Sequence, residues 1–390
     1  MISHITARSS RLFQKQTLAV RKLWKLWNSN FHSQTALCVF SGPGASCKSH
    51  ERVSDSIEKP PHVPVMLKEV LHYLDIKPGQ VVLDMTFGGG GHTKAVLDAH
   101  SDVTILALDR DPTAISLAQQ LAKEHPGRVK PLLGRFSDLE VLLSSVNVRE
   151  GSIDAVLLDA GCSSMQMDQA ERGFSLSKDG PLDMRMDGER FADMPCAADV
   201  VNTLDQQALT SILTAYGEER RAWKIALAIV EARRVKPITR TQQLAGVVAG
   251  SFPAAALYAR KDRLQRPSHV ATKTFQALRI FVNDELNQLQ AGLRAAQNAL
   301  RSGGRLCVIT FHSLEDRLVK RFLRGEDSST LDPNHLDLGR PGTRTEKSVE
   351  RKGVGVYWHC LEKKVIIPEK EDIRDNPRGR SAKLRAAIRC

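Results

Sequence analysis

The chain has 390 residues, 42% of them hydrophobic and 26% charged, proportions of an ordinary folded protein long enough for one large α/β domain with an inserted or appended unit. No apolar run approaches the roughly 18 residues of a membrane-spanning helix, and seven scattered cysteines with no C-x-x-C pair argue against a zinc site or a disulfide framework and for a reducing, matrix-like compartment. The formal charge of +12 is weak evidence for nucleic acid, because residues 1–50 hold seven Lys or Arg and no acidic residue, leaving 49 basic against 44 acidic residues beyond them.

That first stretch has its own chemistry. Arg8, Arg11, Lys15, Arg21, Lys22 and Lys25 fall mostly on one side of a helical wheel, with Leu12, Ala19, Leu23, Trp24 and Trp27 largely opposite. An acid-free, Arg-rich amphipathic segment without a secretory apolar core is expected to be a mitochondrial presequence, placing the protein in the matrix. Residues 51–61 read as a linker to the folded part, which starts at His62.

From there Met66 to Leu74 predicts an amphipathic helix, and strands then alternate with helices. The spacing predicts strands at Val81 to Phe87, Thr104 to Asp109, Val129 to Leu133 and Ile153 to Ala160, with helices from Thr93, Pro112 to Lys123 and near Leu139 to Ser145. Such alternation is that of a doubly wound α/β fold with a parallel, Rossmann-like sheet. The rhythm breaks between Met165 and Val270, where only helical patterns occur: Gln206 to Tyr216, Glu218 to Val235 with Trp223, Ala226, Leu227 and Val230 on one face, and Thr241 to Ser251. An all-helical subdomain inserted over residues 165–270 is therefore expected between two parts of the sheet domain at 62–164 and 271–390. Thr272 to Leu300 reads as one long helix, Gly304 to Phe311 as a strand and Leu314 to Leu323 as a helix. A polar loop, Gly325 to Gly355, leads to a closing antiparallel pair, Trp358 to Ile367 and Ala382 to Ile388.

The chemistry concentrates in Val81 to His92, VVLDMTFGGGGH. A buried strand runs into glycines that tolerate positive φ and let backbone approach a ligand. The next strand ends in Asp109, placed to accept hydrogen bonds from a ribose diol. Thr93 stands where a dinucleotide fingerprint needs its last glycine, and no Lys-Ser or Lys-Thr follows as in a P-loop. A nucleoside cofactor without phosphates remains, of which S-adenosylmethionine is the common one.

Further runs carry a resemblance: DMTFGGGGHT (84–93), LDRDPTA (108–114), LLDAGCSSMQ (157–166), RGF (172–174), LDMRMD (182–187), YGEERR (216–221), TFQALRIFVNDEL (274–286), FHSLEDR (311–317) and NPRGRSAKLR (376–385). On these the chain resembles the MraW (RsmH) family of ribosomal RNA cytidine N4-methyltransferases, from His62 to the C-terminus. Ala160, Cys162 and Met165 differ from the family's usual Leu, Val and Pro, in the loop after the fourth strand. The resemblance implies S-adenosylmethionine as cofactor, no metal, and mitochondrial small-subunit ribosomal RNA as partner. Strand-end logic and the family together place Gly90, Gly91 and His92 against the cofactor, Asp109 on its ribose, Phe136 beside its adenine, and Asp159 and Gln166 facing the cofactor near the target base. Asp159 is the candidate catalytic residue, and a carbonyl of Gly161 to Ser164 or His312 could instead take the acceptor amine. RNA is expected along Arg260, Lys261, Arg263, Arg266, Lys273 and Arg279, and along Arg374, Arg378, Arg380, Lys383, Arg385 and Arg389. A methyltransferase acting on another substrate and a non-catalytic ribosome assembly factor are the alternatives.

Overall fold

The computed structural model describes residues 64–191, 193–255, 269–326 and 357–390. The leader, the linker, Arg260 to Arg266 and most of the loop after Gly325 lie outside the described residues.

Five strands, β1 (Gln80–Asp84), β2 (Val103–Asp109), β3 (Val129–Leu133), β4 (Ile153–Asp159) and β5 (Leu300–Thr310), pair in parallel, β3 with β2, β2 with β1, β1 with β4 and β4 with β5. β7 (Lys383–Arg389) adds antiparallel to β5, and β6 (Trp358–Cys360) antiparallel to β7, giving the order β3-β2-β1-β4-β5-β7-β6. Alternation along the strands divides the core between two faces, as a strand period of two requires. Val82, Ile105, Ala107 and Leu157 face one side, under α1 (Leu67–Leu74), α2 (Gly91–Ala99) and α3 (Pro112–Glu124). Leu83, Leu106, Leu108 and Leu158 face the other, under α4 (Leu139–Ser145) and later helices. The sheet is therefore wound on both sides, as the sequence pattern predicts. At the head of α3, Asp111 accepts from Thr113 N at 3.0 Å and Pro112 fills the first position, where its missing N–H costs nothing. Among the described residues no helix is long and apolar enough to cross a membrane.

Between β4 and β5 the described elements are helical: α5 (Ser164–Asp168), α6 (Ala197–Thr203), α7 (Gln206–Gly217), α8 (Ala222–Val235), α9 (Thr241–Gly250), α10 (Thr272–Asn283) and α11 (Glu285–Ala299). Most of them share a separate core that includes Leu209, Ile212, Ile225, Ile229, Leu244, Leu278 and Phe281. Gly217 lets α7 lie directly on α10: a Cβ there would sit 2.7 Å from Lys273 O.

Three expectations are corrected. The long helix is broken at Asp284, whose backbone is left-handed at φ 50°. The cause is Asn283, buried and bonded to the segment 184–186: its Nδ2 donates to Met184 O at 2.7 Å and its Oδ1 accepts from Met186 N at 2.7 Å. The second helix of the insertion starts at Ala222, not Glu218, and buries Ala222, Ile225, Ala226 and Ile229, while Trp223 is 58% and Leu227 38% exposed. One of the two apolar stripes on this helix is thus outside. Finally, the penultimate strand spans only Trp358–Cys360, with Ile366 rejoining through an isolated bridge to Leu384.

Candidate active site

The carboxyl ends of β1, β2 and β4 open onto a cleft of about 1130 Å³, and Gly90, Gly91, His92, Asp109, Phe136, Asp159 and Gln166 all line it. The turn after β1 is built around Asp84, which is 3% exposed. Its Oδ1 accepts from Thr86 N at 3.0 Å and its Oδ2 from Thr93 Oγ1 at 2.7 Å, tying the strand end to the first turn of α2. Gly90 takes φ 77°, and a Cβ there would lie 2.6 Å from the Phe87 ring, so both conformation and space demand glycine. Gly89 has nothing within 4 Å of where a Cβ would stand, so its backbone is open to a ligand.

Asp109 faces the glycines across the cleft. Its Oδ2 accepts from Gly88 N at 2.8 Å and its Oδ1 from Asp111 N at 2.9 Å. Burial pushes its carboxyl up to about 6 against those bonds. Asp159, at the end of β4, is fixed through its backbone, whose N–H donates to Thr86 Oγ1 at 2.7 Å. Its side-chain Oδ1 is buried with no hydrogen-bond partner among the described residues. Burial, with Asp84 and Glu315 alongside, pushes its carboxyl up to about 8.

His92 is 7% exposed, with Nε2 3.0 Å from Val65 O and Nδ1 4.0 Å from Asp159 Oδ2. It joins the segment before α1 to the floor. Phe136 lies on the opposite wall, where its ring is 3.0 Å from a Cβ placed on Gly292, so glycine in α11 makes room for it. Gln166 has its amide engaged: Oε1 accepts from Ser163 N at 3.0 Å and Nε2 donates to Asp111 Oδ2 at 2.9 Å.

Other expected site residues have different surroundings. His312 is the N-cap of α12 (Ser313–Leu323) and does not line the cleft: Nδ1 accepts from Glu315 N at 3.4 Å, and Nε2 is 3.0 Å from Glu315 Oε1. Arg279 is no solvated RNA contact. It makes a two-pronged pair with Glu285 at 2.8 and 2.9 Å, and its Nη1 reaches Cys162 Sγ at 3.3 Å. Residues six apart do not share a face of a straight helix, so this pair exists because the chain turns at Asp284. Lys273 donates to Glu218 O at 2.9 Å. In the tail, Lys383 and Arg385 pair with Asp316 at 3.4 and 2.8 Å, and Arg389 lies over the Tyr357 ring at 5.1 Å. These are sheet residues whose charges are met inside the molecule.

The same face shows what sequence reasoning passed over. Asp187, with no exposed side-chain surface, is paired at 3.0 Å with Arg135 and also with Arg110, and Arg190 stands 3.8 Å away. Burial alone would raise its carboxyl, but Arg110 and Arg135 outweigh that and hold it below the usual range. Arg172 pairs with Asp111 at 2.7 Å. RGF and LDMRMD therefore latch the helical insertion onto the ends of β2 and β3. Glu285, His312 and Glu315 bring possible metal-ligand atoms within 4.8 Å of one another. Arg279 already occupies Glu285, and Glu315 Oε2 accepts from Phe311 N at 2.8 Å, so both carboxylates of this cluster are engaged from within, while the buried His312 Nε2 has no hydrogen-bond partner among the described residues.

An open sheet of this order, with a glycine turn after β1 and a carboxylate at the tip of β2, defines a Rossmann-like methyltransferase. Comparison of the sequence takes this further: the chain belongs to the MraW methylase family, whose model matches residues 59–390. It is 58% identical over 338 residues to human 12S rRNA N(4)-cytidine methyltransferase METTL15, spanning 84% of this chain and 82% of that one. The bovine protein of the same name is 57% identical over 338 residues, with the same two spans. Ribosomal RNA small subunit methyltransferase H of Parvibaculum lavamentivorans is 47% identical over 329 residues, 84% of this chain and 89% of that one.

Proposed function

We propose that this chain methylates the exocyclic N4 amino group of a cytidine in mitochondrial small-subunit ribosomal RNA, with S-adenosylmethionine as donor, in the mitochondrial matrix. One observation carries the reading: the buried, unpartnered Oδ1 of Asp159 at the floor of a cleft wide enough for a nucleoside and a base. An unpaired buried carboxylate is costly unless a ligand supplies its partner. The names of the relatives support the substrate, and the acid-free basic leader supports the compartment.

The residues present fit the cofactor. Gly89 offers open backbone, Gly90 and Gly91 shape the turn, Asp109 has a carboxylate for a ribose diol, and Phe136 has a ring for the adenine. Five carboxylates, Asp109, Asp159, Asp168, Glu285 and Glu315, line the cleft. Asp168 and Glu285 are paired with Arg378 and Arg279, and Glu315 accepts from Phe311 N, which leaves Asp109 and Asp159 to suit a sulfonium cation. When bound, the cofactor supplies a methyl group open to in-line displacement. The protein supplies position and charge. The acceptor amine is a weak nucleophile because its lone pair is delocalised into the ring. Asp159, accepting one amine N–H, localises that pair, and Thr86 Oγ1 fixes the carboxylate by holding its own backbone N–H. The buried His92 imidazole stands beside Asp159, its Nδ1 4.0 Å from Oδ2. Reaching the amine requires the cytidine to be unstacked, and residues 165–270 are the subdomain that would present it.

The test is to map N4-methylated cytidines in mitochondrial ribosomal RNA with and without the protein. Loss of a single site in its absence, restored by the wild type and not by Asp159→Ala, is expected. An unchanged methylation map would overturn the reading, as would labelled methyl groups delivered to protein and not to RNA.

A further inference from the structure

Six cations line the cleft: Lys94, Arg110, Arg135, Arg279, Arg378 and Arg380. Four are matched by a carboxylate of this chain, Arg110 and Arg135 by Asp187, Arg279 by Glu285, and Arg378 by Asp168 at 2.7 Å. Lys94 and Arg380 are exposed, and among the described residues their side chains have no ion pair or hydrogen bond. The two stand on neighbouring supports. Lys94 lies in the first turns of α2, where Gly91 abuts Pro64: a Cβ there would be 2.6 Å from Pro64 Cγ. Arg380 lies in the 3-10 turn Pro377–Ser381, where a Cβ on Gly379 would be 3.2 Å from Val65 Cγ1. One dipeptide, Pro64-Val65, thus seats both at the mouth of the cleft.

The cleft is therefore polarised: four of its five carboxylates are buried or half-buried, the exposed fifth, Asp168, is taken by Arg378, and the exposed cations Lys94 and Arg380 have no counterion among the described residues. An acid-lined floor repels phosphate and admits a neutral base, while a basic mouth attracts the backbone that carries the base. We infer that Lys94 and Arg380 form a phosphate clamp that holds the RNA backbone at the mouth while the target cytidine enters the cleft. This rests on the RNA reading above. It assigns the clamp to two residues; of the rest of the basic tail, Lys383, Arg385 and Arg389 belong to the sheet, and Arg374 and Arg378 pair with Glu371 and Asp168.

The experiment uses the full chain and a single-stranded, cytidine-containing RNA oligonucleotide labelled for fluorescence anisotropy. RNA affinity is measured at several salt concentrations for wild type, Lys94→Ala, Arg380→Ala and the double variant, with S-adenosylhomocysteine affinity by calorimetry on the same samples. Each lost phosphate contact should flatten the log-log salt dependence by roughly 0.7, so the double variant should lose about 1.4. Lys94→Arg and Arg380→Lys should keep the wild-type slope, and S-adenosylhomocysteine affinity should stay unchanged throughout. Equal slopes and affinities for wild type and double variant would overturn the clamp while leaving the RNA reading intact. A loss of S-adenosylhomocysteine affinity without a loss of RNA affinity would overturn it by assigning Lys94 to the cofactor's carboxylate. A wild type that binds no RNA would remove the underlying reading and the clamp with it.

Discussion

Replacing Asp159 by Asn should make the ligand-free protein more stable and the enzyme slower, and the first effect can be sized. The carboxyl is raised from 3.8 to about 8 by burial beside Asp84 and Glu315. Because the folded value lies above the unfolded one, folding takes up a proton between them. Below about pH 4 both states hold that proton and nothing is lost; stability then falls as pH rises, and levels off above about pH 8. At about 1.4 kcal/mol per pH unit, the carboxyl costs the native state about 4 kcal/mol by pH 7. The side chain retains 22% exposure, so solvent screening brings the expected figure to about 2–4 kcal/mol. Asn has nearly the same shape and no charge to bury. Urea unfolding of wild type and Asp159→Asn without cofactor, from pH 5 to 8, should show the variant's advantage widening steadily with pH. Measured above about pH 8, where Asp159 is charged, methyl transfer to RNA should fall roughly 10-fold to 150-fold, the worth of a hydrogen bond to a charged acceptor. Parallel stability curves from pH 5 to 8 would refute the reasoning, whatever happened to activity.

Asp109→Ala removes a charged acceptor from the tip of β2 and should weaken S-adenosylhomocysteine binding by about 1.5–3 kcal/mol, which calorimetry would detect; unchanged affinity would take Asp109 out of the cofactor site. Asp187→Asn leaves Arg110 and Arg135 without their carboxylate at a site of zero exposure. It should destabilise the protein by about 3–5 kcal/mol in denaturant titration, and a loss well under 1 kcal/mol would show that the latch is solvated. Gly90→Ala combines a positive φ with a Phe87 contact at 2.6 Å and should cost at least about 1–2 kcal/mol. Removing residues 1–50 should leave an active enzyme that no longer accumulates in mitochondria, as cell fractionation would show.

The sheet was legible because its strands are short apolar runs separated by helical periods, a pattern with few other solutions. That Gly90, Gly91, Asp109 and Asp159 share one cleft was legible for a related reason. Glycines that must take positive φ and acids that end buried strands are local requirements, visible one residue at a time. Asp84 belonged to the same pattern, and its bond to Thr93 could have been guessed from a Thr in the first turn of α2. What stayed hidden depends on distant partners. Arg385 and Lys383 read as surface cations because nothing nearby in sequence opposes them, and Arg279 because Glu285, six residues on, falls on another face of a straight helix; Glu285 and Asp316 reach them only after the chain turns at Asp284 and β7 joins β5. The outward Trp223 was missed because α8 carries two apolar stripes, and periodicity alone cannot say which one finds a core.

Asp109, Arg110 and Asp111 show why the helical insertion and the cofactor cleft should not be treated as independent modules. The three side chains go to three places. Asp109 turns to the glycine loop, Arg110 to Asp187 and to Asn283 O at 3.0 Å, and Asp111 to Arg172 and Gln166. Asn283 in turn holds the segment around Met184 and stands beside the break that lets Arg279 reach Glu285. A strand tip of three residues therefore fixes Asp109 and both latches of the insertion. Each latch is a buried or nearly buried ion pair, which contributes little net stability but sets one arrangement over others. Disturbing a latch should move Asp109 as well as the insertion. The Asp187→Asn protein is accordingly expected to bind S-adenosylhomocysteine more weakly even under conditions where it remains folded, although Asp187 itself does not line the cleft. Wild-type cofactor affinity in a folded Asp187→Asn protein would show that the tip of β2 holds its shape without the insertion, and that the two parts share a surface but not a mechanism.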